Sequence, residues 1–186
     1  YATLDSGVTY FFALTTTGTG NGCTAYDFTI DLIDKAGSTC ELAYEIDSSY
    51  AEIPELTTRC KGDNVQAEDS CSSSNASGNE VFFKYESAGG ECIVAEISNM
   101  SSYGGLYLFK DCPSTSNDSV LSKAMRCSWA DPKTQTIEYN ITEAGTYYFV
   151  VSGRKYTSPW SGNVSWYDID FDFKFSSSTL DPIGST

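Results

Sequence analysis

The stretch YDIDFDFKF, residues 167–175, alternates apolar and polar side chains without interruption. A β-strand sends successive side chains to opposite faces. Tyr167, Ile169, Phe171, Phe173 and Phe175 therefore share one face, with Asp168, Asp170, Asp172 and Lys174 on the other. Period two over this length reads as a half-buried strand and argues against an amphipathic helix. Just upstream, Val164 and Trp166 alternate in the opposite phase, which predicts a bulge at Trp166–Tyr167.

The same period recurs along the chain. EVFFKYES (80–87) puts Val81, Phe83 and Tyr85 on one face and Phe82 and Lys84 on the other. ECIVAEIS (91–98) follows after the turn signal AGG, then GGLYLFKDC (104–112). TQTIEYNITEAGTYYFVVSG (134–153) reads as strand, turn at EAG, strand. Residues 46–80 are polar and read as loop, with Cys60 and Cys71 holding what apolar burial cannot. Many short strands, Gly/Ser/Asn-rich turns and no helical period predict an all-β, two-layer antiparallel sandwich.

Composition narrows the function. The formal net charge is -14, from 25 acidic and 11 basic residues. Nucleic-acid binding needs a cationic surface that displaces counterions from phosphates, so no nucleic-acid partner is expected. No apolar run approaches the roughly 20 residues of a membrane helix, so no membrane insertion is expected. Histidine is absent, which removes Ser-His-Asp and Cys-His catalysis and imidazole metal sites. No carboxylate pair is singled out by its spacing, and a non-catalytic role is expected. Asp168, Asp170 and Asp172 could contribute to calcium contact. Outward neighbours on a strand are about 7 Å apart, however, so one ion would need ligands from elsewhere. A solvated face that discourages edge pairing is the better reading, and no cofactor or metal is assigned.

Seven cysteines are dispersed, at 23, 40, 60, 71, 92, 112 and 127, without a C-x-x-C pair. They read as disulfides formed in an oxidising compartment. Cys112 and Cys127 enclose a short loop and are the expected pair; pairing among Cys40, Cys60, Cys71 and Cys92 is open. Asn75, Asn99, Asn117, Asn140 and Asn163 each begin an Asn-x-Ser/Thr sequon, and glycosylation is expected of an extracellular chain. Asn140 falls on the polar side of TIEYNIT.

An internal repeat organises the chain. GVTYFFAL (7–14) resembles GTYYFVV (145–151), YDFTIDL (26–32) resembles YDIDFDF (167–173), and DKAGST (34–39) resembles DPIGST (181–186). Three matches in one order, with slowly growing offset, indicate a tandem repeat. Residues 1–35 are read as a partial repeat or strand-exchange segment, an N-terminal β-hairpin resembling the end of a preceding unit. Residues 36–175 are the complete domain and 176–186 a linker to the next. Cys23 is then left unpaired by the complete domain. The apolar positions Tyr10, Phe12, Leu14, Tyr26, Phe28 and Ile30 are the candidate assembly strands.

The complete domain resembles the bacterial pre-peptidase C-terminal domain. The resemblance rests on CELAYEI (40–46), NEVFFKY (79–85), LYLFKDC (106–112) with its second cysteine at Cys127, and EAGTYYFVVSG (143–153) with SGN at 161–163. Phe82-Phe83 stands where that family has Trp-Tyr. The resemblance implies a jelly-roll-like β-sandwich, usually non-catalytic, appended to secreted enzymes or repeated in surface proteins. The chain is accordingly expected at the cell surface or outside the cell, as a structural repeat unit of a filament or array assembled head-to-tail with copies of itself. The alternative is a carbohydrate- or matrix-binding module attached to a secreted enzyme. In that case Tyr156 and Trp160, placed on the loop RKYTSPWSG (154–162), would stack on glycans.

Overall fold

The computed structural model describes residues 9–12, 35–47, 49–62, 65, 78–113, 124–129, 134–157 and 164–180, with backbone alone at 129, 154–157 and 164–166. The chain divides into two compact units, Tyr1–Ile33 and Asp34–Thr186. Residues 9–12 of the first unit form no strand.

The second unit is an all-β sandwich, with no helix among its described residues. Its strands are β1 (Tyr44–Ile46), β2 (Tyr50–Thr57), β3 (Glu80–Ser87), β4 (Glu91–Ser98), β5 (Gly105–Lys110), β6 (Arg126–Trp129), β7 (Thr134–Ile141), β8 (Gly145–Ser152), β9 (Arg154–Thr157), β10 (Val164–Tyr167) and β11 (Asp170–Thr179). One sheet runs β1-β3-β8-β5-β6, the second β2-β11-β4-β7, and β10-β9 form a separate ribbon. Without β1 and the ribbon, the eight remaining strands lie in jelly-roll order, two sheets of four with crossing connections. All pairings are antiparallel except β1 with β3, which is parallel.

The alternation of β11 decides the inner face. Phe171, Phe173 and Phe175 enter the core together with Ile93, Ala95 and Ile97 of β4. Facing them are Val81, Phe83 and Tyr85 of β3, Leu106 and Leu108 of β5, and Phe149 and Val151 of β8. Aromatic rings join the two sheets: Tyr85 meets Phe175 with centroids 4.7 Å apart, and Phe149 meets Phe175 edge-on at 5.6 Å. Each fully buried side chain of this size contributes about 1.5–3 kcal/mol.

Much of the outer face of the five-stranded sheet is buried as well. Phe82, Tyr107, Phe109, Tyr148, Val150 and Val65 form a second cluster, covered in part by Cys40, Ala43, Ala124 and Cys127. The opposite face of β3, expected to carry Phe82 and Lys84, is therefore covered at Phe82 and half-open at Lys84. Tyr107 places its hydroxyl in this layer without a hydrogen bond. Burial, and secondarily the Glu80 carboxylate, hold that phenol strongly protonated.

Several expectations are corrected. Cys112 is bonded to Cys40, with Cα atoms 5.9 Å apart, and not to Cys127. The register sets Cys127 opposite Tyr107. β5 runs on from Tyr107 to Lys110, about 10 Å along the strand, before Asp111 at φ +65° turns the chain toward Cys112. Cys127 is itself disulfide-bonded. Cys60 and Cys92 are free thiols; Cys60 sits in a turn after β2 and Cys92 on the outer face of β4. Cys23 and Cys71 lie outside the described residues. The Cys40–Cys112 bond fits formation in an oxidising compartment.

Residues 50–57, expected as loop, are β2, an edge strand whose polar composition reflects its outward face. The expected bulge at Trp166–Tyr167 is instead a change of partner. β10 pairs with β9, the chain leaves the ribbon at Asp168, and β11 joins the other sheet. Tyr167 is consequently exposed while Ile169 is buried. The bulge lies in β2, where Pro54 and Glu55 together oppose Asp172 and Glu55 has φ +57°. β11 also continues to Thr179, past the expected domain end at 175.

Candidate functional site

Along one side of the sandwich the edge strands of the two sheets, β6 and β7, meet. Ser128 Oγ donates to Gln135 Oε1 at 2.8 Å and ties the edges together. Beside this bridge is a depression of about 430 Å³ lined by Cys92, Arg126, Glu138, Tyr139 and Asn140. Strand alternation explains the lining. Ile137 and Ile141 point into the core, which turns Glu138 and Asn140 outward. Cys92 is the cross-strand neighbour of Asn140, and Val94 that of Glu138. Arg126 reaches from β6 and sets its guanidinium 5.6 Å from the centroid of the Tyr139 ring. A cation over a ring at an exposed site contributes roughly 0.5–1 kcal/mol. The depression thus offers a ring face, a guanidinium, a carboxylate, an amide and a thiol. This is a surface for stacking and hydrogen bonding, and the histidine-free sequence supplies no imidazole base to the thiol.

A second polar constellation lies at the start of β11. Glu55 N–H donates to Asp172 Oδ1 at 2.9 Å and Asn99 Nδ2 donates to Asp172 Oδ2 at 2.6 Å. The Glu55 N–H first, then Asn99, draw the Asp172 carboxyl below its ordinary range. Asp168 accepts from Asn79 Nδ2 at 2.7 Å. Of the aspartates expected to face solvent, Asp168 and Asp172 therefore anchor neighbouring backbone and side chains. No group of three His, Cys, Asp or Glu suited to a metal ion occurs among the described residues. Charged pairs line the rest of the surface: Lys110 with Glu143, Lys84 with Glu45 and Glu86, and Lys174 with Glu52. Exposed pairs of this kind contribute little to stability.

The remaining predicted positions divide as follows. Asn140 is exposed on β7, and Asn99 is exposed with φ +54° in the turn after β4. Asn75, Asn117 and Asn163 lie outside the described residues. Tyr156 belongs to β9, opposite Ser165, rather than to a loop, and Trp160 lies outside the described residues. Of the assembly positions, Tyr10 and Phe12 are described, while Leu14, Tyr26, Phe28 and Ile30 are not. Arg126, Glu138 and Tyr139 were missed. Alternation marks Glu138 as outward, but nothing in the sequence brings β6 beside β7.

These features define a jelly-roll β-sandwich domain carrying one disulfide between described cysteines. No protein-family model matches the chain, and no curated protein matches it. Among solved structures, it is similar to a periplasmic lysozyme inhibitor of g-type lysozyme from Aeromonas hydrophila, at 11% identity and a TM-score of 0.44, over 73% of this chain and 96% of that one. It is also similar to the pre-peptidase C-terminal domain of a collagenase from Bacillus anthracis, at 11% identity and a TM-score of 0.40, over 73% of this chain and 94% of that one. At these values the likeness concerns the β fold alone.

Proposed function

We propose that the chain is a non-catalytic structural repeat unit of an extracellular filament or surface array, whose successive units join head-to-tail through residues 7–32. The observation that supports this reading is where the repeat falls on the fold. GVTYFFAL corresponds to β8 and YDFTIDL to the start of β11, so Phe12 matches Phe149 and Leu32 matches Phe173. Both counterparts are fully buried. β8 lies between β3 and β5 in one sheet, and β11 between β2 and β4 in the other. The two are not hairpin partners; they face each other across the core. A segment with this pattern carries apolar side chains suited to a sandwich interior, and a neighbouring unit supplies the strands that bury them.

The test uses the full chain. Sedimentation velocity and negative-stain microscopy across a range of concentrations should show linear assemblies with one sandwich per repeat. The double variant Phe12→Asp, Phe28→Asp should leave dispersed single units. A wild-type chain that remains monomeric at every concentration overturns the reading.

A further inference from the structure

We propose that Asn140 carries an N-linked oligosaccharide, that Asn99 does not, and that the sugar covers the open edge of β7 together with the Cys92 thiol. Two sequons lie within the described sandwich, and the fold treats them oppositely. In Asn99-Met100-Ser101 both acceptor side chains are engaged. Asn99 Nδ2 donates to Asp172 Oδ2 at 2.6 Å, and Ser101 Oγ accepts the Asp170 N–H at 2.8 Å. A sugar on Asn99 would replace one N–H of an amide already held against a carboxylate. In Asn140-Ile141-Thr142 the middle residue is buried in the core and both flanking side chains are exposed. No hydrogen bond engages either of them among the described residues. Ile141 thus fixes the strand while Asn140 points outward, and the depression of about 430 Å³ beside it leaves room for the first sugar.

The position also answers a physical need. β2 and β7 are the two edges of the four-stranded sheet. β2 protects itself with Pro54 and the bulge at Glu55. β7 has neither device: its eight residues pair with β4 in unbroken register, and among the described residues no strand pairs with its other side, which β6 meets through the Ser128–Gln135 bond near its start, away from Asn140. A straight edge with no paired strand invites pairing with another chain. A bulky, hydrated sugar at Asn140 blocks that approach as a proline or bulge does at β2. Cys92 lies directly across the strand pair from Asn140, so the same sugar shields the thiol.

The modification forms one bond between Asn140 Nδ2 and the anomeric carbon of the sugar. The bond from that carbon to the diphosphate of a lipid-linked oligosaccharide donor breaks. The lipid diphosphate leaves with the electron pair, and the amide proton passes to a base of the transferase.

The inference does not depend on head-to-tail assembly, and its tests are kept separate from it. The full chain, secreted from a glycosylating eukaryotic cell, is digested and released from its sugars in heavy-oxygen water, which marks each occupied asparagine as labelled aspartate. Label at Asn140 with none at Asn99 is expected. An unlabelled Asn140, or equal label at both, overturns the proposal. Thr142→Ala removes the sequon and spares the asparagine. Placed in the Phe12→Asp, Phe28→Asp background, it should gain side-by-side association by sedimentation, and its Cys92 should react faster with a maleimide while Cys60 is unchanged. Unaltered association and unaltered Cys92 reactivity would remove the shielding role.

Discussion

Phe83 of β3 lies flat against Phe173 of β11, with ring centroids 3.8 Å apart and planes 10° from parallel. Both residues are fully buried. The contact joins an interior strand of one sheet to an interior strand of the other. Phe149 of β8 leans on the same Phe173 ring at 6.1 Å, so three strands from two sheets converge on one side chain.

Phe173→Ala should therefore cost about 3–5 kcal/mol in urea unfolding, the range for a fully buried aromatic leaving a cavity. Phe173→Leu should cost less, because more of the volume is kept. A loss for the alanine variant no larger than that of an exposed substitution would show that the stack does not hold the sheets together.

The Cys40–Cys112 bond closes a sequence separation of 72. Chain-entropy arguments give a constraint of this length about 4 kcal/mol of stability. The Cys40→Ala, Cys112→Ala variant should lose a comparable amount in chemical denaturation. Its outer cluster of Phe82, Tyr107 and Phe109 should become more open to hydrogen exchange. A non-reducing peptide map should recover the Cys40–Cys112 peptide; recovery of Cys112 joined to Cys127 would refute the connectivity.

The Asp172 carboxyl titrates lower in the folded chain than in the unfolded one. Its contacts with Glu55 and Asn99 therefore stabilise fully above the unfolded value of about 4. They are lost as pH falls through the lower, folded value. Asp172→Asn should flatten the acid limb of a Tm-against-pH curve around and below pH 4, with little change in slope near neutrality. Identical acid slopes for the two proteins would exclude Asp172 from this role.

Gly153 joins β8 to β9, and a Cβ there would come within 2.3 Å of the Tyr167 carbonyl oxygen. That atom is backbone at the exit of β10, so it cannot swing aside. Gly153→Ala should destabilise by about 1–3 kcal/mol through overpacking, read as a lower midpoint in urea. Gly90→Ala meets open space but sits at φ +74°, so it serves as a contrast in which backbone strain alone is tested.

Much of the fold was legible because it follows a local rule. The alternation in residues 169–175 assigned the buried face of β11 correctly, and that in 134–141 did the same for β7. A half-buried strand must alternate, and the pattern survives in the sequence. β2 was missed because an edge strand needs few apolar side chains, and its one proline reads as a loop signal. The depression at β6 and β7 was illegible for another reason. Its Arg126 and Tyr139 are brought together by the packing of two sheets, and neither residue has an unusual neighbourhood in sequence.

By itself, the sequence determined the all-β class and the inward faces of β3, β7 and β11. These follow from side-chain period, which is a one-dimensional property. Only the tertiary structure decided that Cys112 bonds Cys40 rather than Cys127, and that much of the outer face of the five-stranded sheet is buried too. It also placed β8 and β11 in opposite sheets. Each of these depends on which distant segments share a surface. Once the chain is folded, register and sheet packing place Cys40 against Cys112 across 72 residues and set Cys127 opposite Tyr107 in the middle of β5.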